Sequence, residues 1–446
     1  MTPPMVLAFL AMMAFHLADT WFVSRLGTLP LAAMGFTFPV VMLMHALAMG
    51  LGLGTSACVS AAVGRKDPER MRILVTASLL LSFLIFLALS AGAWSALPRL
   101  FGMLGARGET LGLTIGYMRV WLLFAPLGVL PMIGNHALRA TGDTLRPGLI
   151  MGFAAVINVL LDPLLIFGWG PVPAFGIAGA ALATGISRMF TLAAALWLIH
   201  RRCRLLAPAA IGRNNLLHAW RRILHVAVPA SATNMLMPLT VGIITRIIAS
   251  FGEFAVAATA AGQRIEYFAY LVPFAMGSVL VPMVGQNWGG GRVDRVREAW
   301  STTSRYGALY SVAVWSAFLF AGREVAGLFS DDPRIVRLIT HYLWIMLAGS
   351  ALMHTASYTA FAMNALHRPL SASLLTIIRL GCLVIPLAWI GSRIFGVRGV
   401  YSGMTIAHVL TGIVALWWFR GTLDRLEERV TPPLSEENRS RENTAA

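Results

Sequence analysis

Twelve stretches of this chain run for about 20 residues or more with few charges, and that pattern limits what it can fold into before any motif is read. They fall near 3–25, 31–63, 71–96, 110–138, 148–170, 174–200, 223–250, 254–288, 299–321, 335–362, 370–391 and 396–419. Runs this long are bilayer-crossing segments. In lipid every backbone amide must be satisfied internally, which leaves helices or a closed barrel. A barrel strand would alternate apolar and polar residues, and these runs do not. The composition agrees: 57% of the 446 residues are hydrophobic, 12% are charged, and the mean hydropathy is +0.73. The expected fold class is therefore all-α, a polytopic membrane protein of twelve transmembrane helices. The second and eighth runs are too long for simple spans.

A net charge of +16 raises the question of nucleic acid, and the placement of the charge answers it. Of 35 Lys and Arg residues, 21 lie in the loops after even-numbered spans or in the C-terminal tail, among them Arg65, Lys66, Arg70, Arg139, Arg201, Arg292 and Arg425. Eight lie in the opposite loops. By the positive-inside rule both termini face the cytoplasm, and no nucleic-acid partner is implied. The remaining six, Arg119, Arg188, Arg246, Arg264, Arg305 and Arg379, sit within or near spans. Three cysteines, Cys58, Cys203 and Cys382, make no disulfide framework. The N-terminus lacks the basic region and cleavage site of a secretory signal, so the first run is expected to be retained.

The two halves repeat. Residues 1–200 and 225–420 match at an offset of 220 to 228: Gly27 with Gly252, Arg65 and Asp67 with Arg292 and Asp294, Tyr117 with Tyr342, Arg146-Pro147 with Arg368-Pro369, Gly176 with Gly396. Six spans per repeat give both halves the same polarity. They form two lobes about a pseudo-two-fold axis along the membrane normal, with a cavity between them. The expected divisions are an N-lobe over 1–200, a cytoplasmic linker over 201–222, a C-lobe over 223–420 and a polar tail over 421–446, the last disordered.

Against this background an intramembrane acid stands out, because Asp at the centre of a spanning helix costs roughly 2.5 to 3.5 kcal/mol. Asp19 and Asp162 are two such acids, both in the N-lobe. At about 1.5 Å per residue each lies roughly 20 to 25 Å from the cytoplasmic end of its span, in the outer half. Asn158 precedes Asp162 by four residues and shares its helical face, within hydrogen-bonding reach. Pro163 frees a carbonyl one turn back. The C-lobe has no acid at the matching offsets: Asp19 falls opposite Ile244, and Asp162 opposite the region of Cys382 to Val384. The carboxylates are thus an overlay on the scaffold. His16, three residues before Asp19, is a candidate relay partner, with ordinary packing as the alternative. Glu266 is the one acid deep in a C-lobe span, and an ion pair with Arg264 and Arg246 is expected. Met12, Met34, Met235 and Phe274 are candidates to line the cavity.

The loop Ala137-Leu-Arg-Ala-Thr-Gly-Asp-Thr-Leu-Arg-Pro147, the run Asn158-Val-Leu-Leu-Asp-Pro163 and the stretch Gly176-Ile-Ala-Gly-Ala-Ala-Leu-Ala-Thr184 resemble the multidrug and toxic compound extrusion transporters over nearly the whole chain. Within that family the chain is similar to the branch of the DNA-damage-inducible protein F, which carries an acid late in the first helix and an Asn-x-x-x-Asp pair in the fifth. The resemblance places Asp19, Asn158 and Asp162 at those positions and Thr184 in the same pocket. The sodium-coupled branch has acids in the seventh and tenth helices, and neither Pro229 to Phe251 nor Leu343 to Met363 contains one. What the resemblance implies is a monomeric antiporter, without cofactor or bound metal, that exports cationic or amphiphilic small molecules against protons, with sodium as the alternative ion. Pro4 matches a proline that the family carries deep in its first helix, so that helix is expected to be short or to begin upstream of Met1.

Other classes fit less well. The Gly-x-x-x-Asp-Arg-x-Gly-Arg-Arg loop of major facilitator carriers is absent, the corresponding loop running from Gly64 through Asp67 and Pro68 to Arg72. A related lipid-linked oligosaccharide flippase would need cationic cavity residues. No His-Glu-x-x-His or Gly-x-Ser-x-Gly motif points to an enzyme.

Overall fold

The computed structural model describes residues 10, 19, 21–23, 25–202, 204–206 and 212–430. Of the first span it describes residues 10, 19, 21–23 and 25, all helical but the last; His16, Pro4, Met12 and Cys203 lie outside the described residues. The next five spans are α1 (Thr28–Gly64), α2 (Pro68–Met103), α3 (Gly108–Ala140), α4 (Leu145–Phe167) and α5 (Ile177–Trp197), the last prolonged by a π-helical turn, Leu198–Arg202. The second half begins with α6 (Arg213–Ala249), continues through α7 (Glu253–Ala269), α8 (Leu271–Gly289), α9 (Val293–Gly327), α10 (Pro333–Ala348), α11 (Ser350–Ala365) and α12 (Pro369–Ile377), and passes through a π-helical segment, Ile378–Val384, into α13 (Ile385–Val430). Among the described residues the only bridge outside helices joins Trp169 to Val172 after α4. The all-α expectation holds.

Helix starts follow local chemistry. Asp67 accepts the Arg70 amide at 3.0 Å with Pro68 in the first turn of α2, and Asp332 accepts the Arg334 amide at 2.8 Å with Pro333 opening α10. Asp143 likewise accepts the Arg146 amide at 3.1 Å and pairs with its guanidinium at 3.0 Å, after Gly142 turns the chain at φ 98°. The Thr141-Gly-Asp loop therefore launches α4, the helix that carries Asp162.

The eighth span, expected to be too long for a simple helix, is α7 and α8 meeting at Tyr270 with a 51° bend. The second, by contrast, is one 37-residue helix. The tenth span is also broken, α10 meeting α11 at Gly349 with a 51° bend, and a non-helical pair, Phe395 and Gly396, divides α13 into the eleventh and twelfth spans. The C-lobe thus holds two discontinuous spans and a π-helical segment where α1 to α4 of the N-lobe are continuous.

Two ends run further as helix than expected. The last part of the expected linker is already the start of α6, and Trp220 there donates its indole N–H to the Ala77 carbonyl of α2 at 3.0 Å. Helix α13 reaches Val430, well into the expected polar tail, because Arg297 binds Asp424 at 2.6 Å and Glu427 at 2.9 Å.

The lobes meet closely at the end where the loops are basic. A Cβ on Gly64 would overlap the Gln286 carbonyl, and one on Gly289 would overlap the Ala61 carbonyl, so only glycine lets α1 and α8 approach this way. Gln286 also donates to the Ala140 carbonyl at 2.7 Å, and Ser231 to that of Leu47 at 3.4 Å.

Candidate functional site

Helix α4 presents Asn158 and Asp162 on one face, and α5 presents Thr184 opposite them. All three are buried, Asp162 completely. With the Asn158 amide nitrogen turned toward Asp162, it donates to Asp162 Oδ2 at 3.0 Å while its oxygen accepts from the Thr184 backbone N–H at 3.1 Å. The reverse orientation leaves only a 3.5 Å contact to Thr184 Oγ1, so the first satisfies the group better. Pro163 lies within α4 directly after the acid. The three side chains that the sequence singled out on these two helices are therefore brought together.

Asp19 completes the group. It is 5% exposed and within electrostatic reach of Asp162. Among the described residues, one oxygen of each carboxyl, Oδ1 in both, is buried without a hydrogen-bond partner, and neither acid has a cation within ion-pair distance. The site is thus two buried acids close to one another, with a single amide donor serving one of them.

Sequence reasoning missed Tyr117. It is buried on α3, and both acids and Arg188 lie within its electrostatic reach. It also lines a cavity of about 260 Å³ bounded by Leu26, Pro30, Gly116, Phe175 and Ile177, at the end of the N-lobe opposite the basic loops. The signal was present, since Tyr117 and Tyr342 had already emerged as a repeat pair. Arg188 lies behind Tyr117, its guanidinium 5.6 Å from the Trp121 ring centroid.

Glu266 needs a correction. The expected ion pair with Arg264 and Arg246 does not form: both arginines are exposed, and the Tyr342 hydroxyl donates to Glu266 Oε2 instead. Helical geometry explains this. Arg264 is two residues from Glu266 and points to another side of α7, whereas α10 packs against α7 and brings Tyr342 to the acid. The Tyr270 hydroxyl lies close to the same carboxyl without a hydrogen bond of ordinary geometry. Of the residues proposed to line a cavity, Met34 packs on the N-lobe core, while Met235 and Phe274 are exposed. Among the described residues no His, Cys, Asp and Glu cluster has the geometry of a metal site.

Comparison with known proteins bears on this arrangement. The MatE family model matches twice, over residues 4–164 and 229–390, one match per half. A FAD transporter of Shewanella oneidensis is 36% identical over 417 residues, covering 94% of this chain and 92% of that protein. The multidrug export protein MepA of Staphylococcus aureus is 26% identical over 422 residues, covering 93% and 90%. Among solved structures, the Vibrio cholerae MATE transporter VcmN in the bent form superposes with a TM-score of 0.90 at 27% identity, covering 96% of each chain. The outward-facing conformation of a multidrug resistance MATE family transporter gives 0.89 at 28% identity, covering 96% and 95%. The chain belongs to the MATE family, whose members are twelve-helix, two-lobed membrane transporters and not enzymes.

Proposed function

We propose that this protein is a proton-driven exporter of amphiphilic small molecules, cationic ones included, and that Asp19 and Asp162 carry the coupling proton. The observation that supports this reading is the buried pair itself. Two anions in one chamber without a cation are costly, and a shared proton relieves both the repulsion and the desolvation. Asn158 serves Asp162 in either state, since its amide nitrogen donates to Oδ2 whether or not the other carboxyl oxygen carries a proton. Tyr117, between the acids and the 260 Å³ cavity, is placed to pass protons between them.

The glycine-tight contact of the lobes at the basic end, cytoplasmic by the positive-inside rule, fits an outward-facing state. In that state protonation of the acids removes charge from the N-lobe and releases the cargo. Rocking of the lobes then opens the cytoplasmic side, where proton loss and cargo binding reset the cycle. One pH unit contributes about 1.4 kcal/mol and one charge crossing 100 mV about 2.3 kcal/mol, enough to concentrate a substrate tens- to hundreds-fold per proton. The protein acts in this reading as a monomer in the inner membrane, with both termini in the cytoplasm.

A second cargo reading is favoured by the relative named FAD transporter and by a half-buried arginine in the C-lobe that has no carboxylate partner among the described residues. In that reading the same coupling drives export of a flavin nucleotide, which is amphiphilic but anionic.

Efflux from proteoliposomes tests the coupling. A fluorescent cation should leave under an imposed proton gradient, and Asp19→Asn or Asp162→Asn should abolish this. Transport that follows a sodium gradient and survives both substitutions would refute it.

A further inference from the structure

The C-lobe core contains a charged cluster that the N-lobe mechanism does not use. Arg379 lies in the π-helical segment Ile378–Val384, at mid-depth of the eleventh span. Its Nη1 donates to Ser357 Oγ at 3.2 Å, and its Nε is buried with no partner. Among the described residues it makes no ion pair and has no carboxylate within electrostatic reach. His354 on α11 and His408 on α13, 6% and 7% exposed, are within its electrostatic reach, and each has one ring nitrogen buried and unpartnered.

An uncompensated guanidinium in a membrane core is expensive, and such groups ordinarily mark a ligand or ion path. Here there is room for a partner. Arg379, Ser357, Thr376 and Thr411 line a cavity of about 20 Å³ with Ala356 and Ala360, just above the 10 to 15 Å³ or so that one water-sized particle requires. Its setting is that of a transporter binding site: mid-membrane, beside a π-helical segment, and on the helix that follows the break in the tenth span at Gly349.

We infer that Arg379, with Ser357 beside it and His354 and His408 behind it, forms an anion site in the C-lobe that holds one phosphate oxygen of an anionic cargo. The volume limits the ligand to an anionic tip, so the site anchors a phosphate and leaves the rest of the molecule outside. Guanidinium is the suited group, because its forked donors are always charged and match phosphate oxygens. Ser357, Thr376 and Thr411 already donate to their own helix carbonyls, which leaves Arg379 as the principal donor of the cavity. The inference rests on the second cargo reading only for the choice of flavin as the probe.

Equilibrium binding to the full chain in non-ionic detergent, free of anionic lipid and without any ion gradient, tests it independently of the coupling mechanism. FAD, riboflavin and inorganic pyrophosphate are the probes. Flavin binding is read by fluorescence quenching, and pyrophosphate by the shift in thermal unfolding. FAD should bind about ten- to hundredfold more tightly than riboflavin, Arg379→Gln should erase that difference, and Arg379→Lys should restore part of it. His408→Gln, which keeps the arginine, serves as a second variant if Arg379→Gln does not fold, and should weaken FAD binding several-fold. Pyrophosphate stabilisation that depends on Arg379, without FAD binding, would support the anion site and dismiss flavin as the cargo. FAD and riboflavin binding alike, an FAD preference unchanged in Arg379→Gln, or no stabilisation by either anion would overturn the site.

Discussion

The two lobes descend from one repeated sequence, yet they bury opposite charges at nearly the same place. With Pro147 set against Pro369, Arg379 falls beside the position of Asn158, one turn from that of Asp162. The N-lobe fills this region with two acids and an amide; the C-lobe fills it with an arginine, a serine and two histidines. The repeat tyrosines behave differently. Tyr117 stands near Asp19 and Asp162, and Tyr342 donates to Glu266, so each lobe keeps a buried tyrosine beside an acid. A six-helix lobe therefore folds with either sign of charge along this helix, so the architecture by itself does not require the acids. The lobes also differ mechanically. The C-lobe breaks two spans and carries a π-helical segment within a third, whereas α1 to α4 of the N-lobe are continuous helices.

The largest expected effect breaks the comparison on the N-lobe side. Asp162→Asn should leave a folded protein that has lost proton-driven transport by about a hundredfold or more, since the pair of acids that shares the coupling proton is then broken. Next comes the contact between lobes. Gly289→Leu forces a side chain into the Ala61 carbonyl, and unless the lobes separate it should cost about 3 kcal/mol or more. Labelling of single cysteines on the basic face should show that face opened; unchanged protection there would show that the contact is not needed for closure.

The C-lobe acid sharpens the contrast. Tyr342→Phe should destabilise by about 1 to 3 kcal/mol, because it strips a buried carboxyl of its donor, while proton coupling persists. A thermal unfolding series alongside the efflux assay separates the two, and loss of coupling without loss of stability would make Glu266 a second coupling group. The smallest effect belongs to Arg297→Ala. Its partners Asp424 and Glu427 are 59% and 40% exposed, so unfolding should shift by no more than about 1 kcal/mol.

Much of this was legible in the sequence because membrane physics is strict. Long apolar runs admitted only helices, basic loops fixed their polarity, and the four-residue spacing of Asn158 and Asp162 fixed a shared face. The convergence of Asp19 with Asp162, and of Thr184 with Asn158, was implied by family resemblance and needed coordinates to be seen. Glu266 was misread because proximity in sequence stood in for proximity in space: two residues along a helix point apart, while α10, distant in sequence, supplied the donor. Arg379 was noticed only as a span arginine. Nothing local marks it, since its isolation depends on which side chains of α11 and α13 surround it. The helical continuation to Val430 was missed because its hold is a contact with Arg297 on α9, more than a hundred residues away.

Substrate-induced proton release tests the central claim most directly. Purified protein in weakly buffered detergent solution near neutral pH is mixed with a cationic substrate while a pH indicator is followed. The wild type should release protons as the cargo binds, and the doubly substituted Asp19→Asn, Asp162→Asn protein, still folded, should release none. Equal release from both proteins would place the coupling proton elsewhere and contradict the account.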